Sequence, residues 1–203
     1  MGRRSSHSAE ELRRLILTST RSIIENDGIS GLSAREIARK IDYSPGTIYN
    51  FFTSIDELLL TIQIELVEEA LAALEAAHTA GEATEHIKAL ARTYMAFAMS
   101  HQALWSLFFC HQPPAESANL SVLDAQFEAI VNRFVRAMPR VEAGEDRAHE
   151  TTAARAVWAA LHGISGVAVM AKHRAVTSSN AEFAAMELIE GYVASLGERQ
   201  AQV

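Results

Sequence analysis

Apolar residues along the chain recur at helical spacing. Leu12, Leu15, Ile16, Ile23 and Ile24 share one face of a first helix, and Gly28 stands where such a helix stops. Ser33 to Glu36 has the S-x-x-E form of a capping box, with Leu32 and Ile37 placed as a hydrophobic staple, so a second helix starts at Ser33. Ser44 followed by Pro45 marks another start, because proline at the first helical position loses no hydrogen bond. Tyr43 and Ile48 occupy the staple positions there. Two short helices joined by a turn of a few residues are the sequence form of a helix-turn-helix.

Beyond them the stripe Leu58, Leu59, Ile62, Leu66, Ala70 and Leu74 predicts a long helix from Ile55 or Asp56 to near Gly81. Ile87, Leu90, Ala91, Tyr94 and Phe97 carry the pattern on until Pro113-Pro114 interrupts it. Leu123, Phe127, Ile130, Val131, Phe134 and Met138 form a stripe that stops at Pro139, and helices over about 147–173 and 180–196 finish the chain. No run of alternating β-branched residues competes with this pattern. The expected fold is all-α: a three-helix head, 1–54, and a larger helical body, 55–203.

Composition agrees with a packed core. Of 203 residues 49% are apolar and 21% charged, and the mean hydropathy is +0.04, which argues against disorder. One cysteine, without C-x-x-C or Cys/His pairs at zinc spacing, excludes a disulfide scaffold and a structural zinc site; no metal or cofactor is expected. Met1 to Glu11 is polar, with no apolar core or cleavage site, so the expectation is a cytoplasmic protein. Ala153 to Ala171 is nearly long enough to span a bilayer, which takes about 20 apolar residues. It contains Arg155 and His162, however, and Lys172, His173 and Arg174 close it, so it reads as a helix buried on several sides. The net charge of -7 is unevenly spread. Up to position 55 there are eight basic and six acidic residues; beyond it there are 10 and 19. A basic head on an acidic body points modestly to a polyanion at the head.

In the head, Ile37, Ala38, Ile41, Ile48 and Phe52 can form a small core with Ile16, Ile23 and Ile24, leaving Arg35, Arg39, Lys40, Thr47, Tyr49 and Asn50 outside. The segment GLSAREIARKIDYSPGTIYNFFTSIDELL, Gly31 to Leu59, closely resembles the DNA-binding head of TetR/AcrR-type transcriptional repressors. The resemblance covers about 50 residues and implies a three-helix DNA-binding domain, a helical ligand-binding domain and a homodimer through the last two helices. On that resemblance Ser33 and Ala34, at a helix N-terminus, meet phosphate, and Arg35 reaches a guanine edge. Ser44, Pro45, Gly46, Tyr49 and Asn50 lie where the recognition helix meets the major groove, and Thr47 and Tyr49 match phosphate-touching positions. Arg3 and Arg4 form a basic arm. The blander readings are a packing role for Tyr49, a cap alone for Ser33, and a solvated face for Arg39 and Lys40. Two departures from the family pattern stand out: Asp42 replaces the usual turn glycine, and Ile55 replaces a phosphate-binding lysine.

The body gathers aromatic and soft side chains, which suit either a core or an apolar ligand pocket with a few polar groups. Tyr94, Phe97, His101, Trp105, Phe108, Phe109, Phe127, Trp158 and His162 are the candidate lining, with His111 and Gln126 as further polar groups. Trp158-x-x-x-His162-Gly163 resembles a W-H-G segment found in one branch of these regulators. Gly163 and Gly166 permit close helix approach. Gly163, Val167 and Ala171, with Phe183, Met186, Val193 and Leu196, would form the dimer face. Cys110, in an apolar neighbourhood, reads as a buried inert thiol. An enzyme is not expected: Gly163 to Val167 fails the G-x-S-x-G pattern at Val167 and lies within a helix, and there is no P-loop or G-x-G-x-x-G. The expected function is a repressor on operator DNA, released by a small hydrophobic ligand. A helical protein-interaction module, or a regulator of this type without a ligand, are the alternatives.

Overall fold

Helix α1 (Ala9–Asp27) is closed at both ends. The Glu11 amide donates to Ser8 Oγ and the Ser8 amide donates to the Glu11 carboxylate, while Gly28 at φ 71° supplies the positive φ with which the chain leaves the helix. A 3-10 turn (Ile29–Gly31) leads to α2 (Ala34–Ile41) and α3 (Pro45–Tyr49). Only half of the capping box expected at Ser33 forms. The Glu36 amide donates to Ser33 Oγ, but the Glu36 carboxylate turns to the Arg39 guanidinium at 2.8 and 2.9 Å. A charged donor one turn away is a stronger partner than a backbone amide. Asp42, at φ 60°, takes the left-handed conformation that ends α2.

The computed structural model describes residues 7–77, 82–117, 119–138, 147–170, 177 and 180–200, with no strand among them. Ser54 caps α4 (Ile55–Ala76), which stops at Ala77 rather than near Gly81. There follow α5 (Ala83–Ser100), α6 (Gln102–Trp105), α7 (Leu107–Cys110), α8 (Leu120–Ala137), α9 (Arg147–Val169) and α10 (Ala181–Gln200). The helical pattern expected to run to Pro113 therefore breaks twice. Ser100 Oγ donates to the Phe97 carbonyl and His101 leaves helical geometry beside it; Ser106 Oγ donates to the Ala103 carbonyl at 2.6 Å. Such local side-chain bonds compete with the helix ladder, and apolar periodicity does not register them. Helix α9 ends at Val169 instead of continuing to 173, while α10 runs on past 196.

Helix α5 sits centrally in the body, packed on α4, α8, α9 and α10, while α4 packs along α8 and α8 along α9. One continuous core runs from Ile16 and Ile48 in the head to Phe134, Leu161 and Ile189 in the body. Helix α9 is packed on by α5, α6, α8 and α10, as a helix buried on several sides should be, but one face stays open: Thr152, Arg155, Ala156, Ala159, Gly163 and Val167 form an exposed stripe at helical spacing. No described helix is long and apolar enough to cross a membrane.

Candidate functional site

The head buries Ile37, Ala38, Ile41, Ile48 and Phe52 together with Ile16, Ile23 and Ile24, as their spacing predicts. That burial turns the remaining positions outward. Ser33 and Arg35 at the start of α2, and Ser44, Pro45, Gly46, Tyr49 and Asn50 along α3, are exposed; Ala34 and Thr47 are half-buried. Tyr49 is 52% exposed, so its ring does not serve the core. Arg39 and Lys40 are held on the head itself, Arg39 by Glu36 and Lys40 by Ser22 Oγ at 2.8 Å. His7 Nδ1 meets the Tyr43 hydroxyl at 2.9 Å, just ahead of α1. Arg3 and Arg4 lie outside the described residues. Arg21 of α1 grips Glu69 of α4 with two bonds, at 2.6 and 2.9 Å, and ties the head to the body.

In the body the aromatic residues converge on His162. Phe109 and Trp158 stack on its imidazole, with centroids 4.7 and 5.4 Å away. Tyr94, Trp105, Phe108 and Phe127 meet it edge-on. Trp105 lies edge-to-face with Tyr94 at 5.5 Å and Phe108 at 5.0 Å, contacts that the ring quadrupoles favour. Gly166 leaves room for Phe109, because a Cβ there would strike the ring. Gly163, by contrast, has open space around it. Tyr94 and Trp105 form a buried back wall, whereas Phe108, Phe109, Phe127, Trp158 and His162 are only half-buried and reach solvent at one edge.

A polar seam runs through these rings. The Tyr94 hydroxyl lies 2.7 Å from His162 Nδ1. The Trp105 indole N–H donates to Ser165 Oγ at 2.9 Å, and that hydroxyl donates to the His162 carbonyl at 2.7 Å. Burial raises the Tyr94 phenol and lowers His162 to about 4, so both are neutral at pH 7. The Trp158 indole N–H is directed at the same phenol and partly offsets that rise, but it falls short of a completed hydrogen bond. Between two neutral groups the phenol is the stronger donor and the imidazole nitrogen the stronger acceptor, so the pairing is assigned as Tyr94 O–H to Nδ1, with the imidazole proton on Nε2.

The acid response follows from these values. Unfolded, His162 binds its proton near 6.5; folded, only near 4. Between those values the unfolded chain holds more protons, so the folded state loses up to about 3 kcal/mol as pH falls from 6.5 towards 4. Chemical denaturation across this window is expected to show that loss, and His162→Phe is expected to flatten it.

Not every candidate joins the cluster. Phe97 reaches it through Trp105, at 6.0 Å. His101 stacks on Phe97 at 4.3 Å and bonds to its own helix end. Gln126 donates to Glu68 of α4. His111 is clamped to α4, with Nδ1 3.1 Å from Gln63 Oε1 and Nε2 3.1 Å from Asp56 Oδ1. Cys110 is exposed, not buried as expected: Leu107, Phe108 and Phe109 use the inner sides of α7, leaving its last residue outside. The close approach expected at Gly166 is made by Phe109 of α7, while that expected at Gly163 is not made among the described residues; sequence reasoning missed the Ser165 contacts, although Ser165 lies one turn beyond His162 on α9. It also missed the caps at Ser8 and Ser54, each of which has the S-x-x-E spacing used at Ser33.

Comparison with known proteins places both regions. Residues 16–62 match the model for bacterial regulatory proteins of the tetR family, and residues 87–189 match the tetracyclin repressor-like C-terminal domain. The HTH-type transcriptional regulator Rv1816 of Mycobacterium tuberculosis is 26% identical over 132 residues, covering 60% of this chain and 56% of that protein. The match thus spans little more than half the length of that curated relative. A solved structure of a protein with unknown function from Rhodococcus sp. RHA1 is similar with a TM-score of 0.65 at 26% identity, over 93% of this chain and 97% of the other. FadR from Bacillus subtilis, solved in complex with stearoyl-CoA, shares the fold with a TM-score of 0.64 at 12% identity, over 87% and 96% of the two chains.

Proposed function

Because this chain belongs to the tetR family of bacterial regulatory proteins, which regulate transcription rather than catalyse reactions, we propose that it is a homodimeric repressor released from operator DNA by a small hydrophobic compound. The head, 1–54, docks α3 in the major groove through Tyr49, Asn50, Pro45 and Gly46, with Ser33, Ala34, Arg35, Ser44 and Thr47 on phosphate or base edges. Arg3 and Arg4 extend the contact as a basic arm. The body, 55–203, holds the compound at the His162 cluster and pairs with a second copy. The exposed α9 stripe supports that pairing, as does Phe183, 68% exposed on α10. Met186 and Val193 pack partly on the chain's own core and contribute less. Ala171 lies outside the described residues. As a regulator of transcription the protein works in the cytoplasm, where its DNA is.

The observation that carries the ligand response is the position of α7. Phe108 and Phe109 belong to the His162 cluster, and His111, at the end of the same helix, is clamped to Asp56 and Gln63 of α4. Helix α4 in turn holds the head through Glu69 and Arg21. A compound that displaces Phe109 moves α7, and α7 moves α4 and the heads. A coupling of about 1–3 kcal/mol then gives roughly 5–150-fold relief of DNA binding.

One observation favours a second reading, a regulator without a ligand: the rings of the cluster are already in mutual contact. A thermal-shift series with uncharged hydrophobic compounds separates the two. A ligand at about 100 times its Kd is expected to raise Tm by roughly 5–10 °C. Uniformly unshifted melting favours the regulator without a ligand.

A further inference from the structure

We infer that the compound held by the cluster is uncharged and presents a hydrogen-bond acceptor to His162 Nε2–H and the Trp158 indole N–H; this rests on the cluster being the effector site. Two observations support it. The Nδ1 side of His162 is occupied by the Tyr94 hydroxyl at 2.7 Å, so the free nitrogen of the ring is a donor. Trp158, stacked on the same imidazole, directs its buried N–H towards the Tyr94 hydroxyl without completing a hydrogen bond, so an acceptor brought by a ligand can take it. Two donors in an aromatic site, neither with a completed hydrogen bond, select an acceptor such as a ketone, ester or ether oxygen. A ligand that itself donated to Nε2 would force the proton to Nδ1 and leave the Tyr94 hydroxyl without its acceptor.

Charge is excluded by the surroundings. Among the described residues, no lysine or arginine lies over any ring of the cluster; the cation–π contact present is Arg13 on Phe52, in the head. Arg155, two turns before His162, is exposed and committed to Glu128 at 2.6 and 2.7 Å. An anion entering among these rings would lose its hydration and find, among the described residues, no cation stacked on them to replace it. A cation would meet ring faces already stacked on one another and two N–H donors.

The test uses the full-length protein and calorimetric titration at pH 7.5 with three matched probes: 2-acetylnaphthalene, 2-isopropylnaphthalene and 2-naphthoate. The ketone is expected to bind about tenfold more tightly than the hydrocarbon, the worth of a good hydrogen bond. The carboxylate is expected to bind more weakly than both. In His162→Phe the ketone's advantage over the hydrocarbon disappears. Trp158→Phe, which keeps a ring in place, reduces that advantage about threefold and serves if the first variant does not fold. Hydrocarbon or carboxylate binding as tightly as ketone, or a ketone advantage intact in both variants, overturns the acceptor assignment while leaving the site in place. Binding of none of the three probes overturns the site itself, and the inference with it.

Discussion

Trp105→Ala is expected to lower stability by about 3–5 kcal/mol, a fall in Tm of roughly 6–20 °C for a chain of this size. Trp105 is fully buried and touches Tyr94, Phe97, Phe108 and His162, so truncation opens a cavity under most of the cluster. It also removes the N–H that meets Ser165 Oγ, so the buried hydroxyl keeps its bond to the His162 carbonyl but loses the donor it accepts from. Trp105→Phe keeps most of the ring contacts and is expected to cost less than half as much. Chemical denaturation measures both. A loss below about 1 kcal/mol for the alanine variant would show that the cluster is not a packed unit.

How much of this the sequence disclosed depends on how local each feature is. Caps and short helices are written in neighbouring residues, so Ser33, Ser44-Pro45 and Gly28 mark the head correctly. The cluster's members were also visible, as aromatic residues at helical spacing. Their mutual arrangement was not: Tyr94 and His162 are 68 residues apart, and no local period links them. The same holds for His111, whose partners on α4 lie 48 and 55 residues away. The break of the helical pattern at Ser100 and Ser106 was hidden for another reason. Apolar periodicity registers only which face is buried, and the side chains that interrupt the ladder there are polar. The exposure of Cys110 follows from that break, since a continuous helix would have carried it on a different face.

The charge reading gains a restriction from the structure. Of the eight basic residues of the head, Arg21 and Arg39 are paired with the carboxylates of Glu69 and Glu36. Those pairs, with the six acidic residues up to position 55, weaken general attraction to phosphate, so specific contacts at α3 carry much of the binding. Tyr49→Ala is accordingly expected to weaken specific DNA binding on the order of a thousandfold. One contact is worth about 2 kcal/mol and a dimer makes it twice. Because the ring is half exposed, the same change is expected to leave stability within about 0.5 kcal/mol.

Selection of full-length protein against a random duplex DNA library, at low and at physiological salt, tests the central claim most directly. The expected product is a pseudo-palindrome whose half-sites lie about one helical turn apart, enriched by the wild-type chain and lost in Tyr49→Ala. Failure to enrich any sequence at either salt, or recovery of the same site with undiminished affinity by Tyr49→Ala, would contradict it.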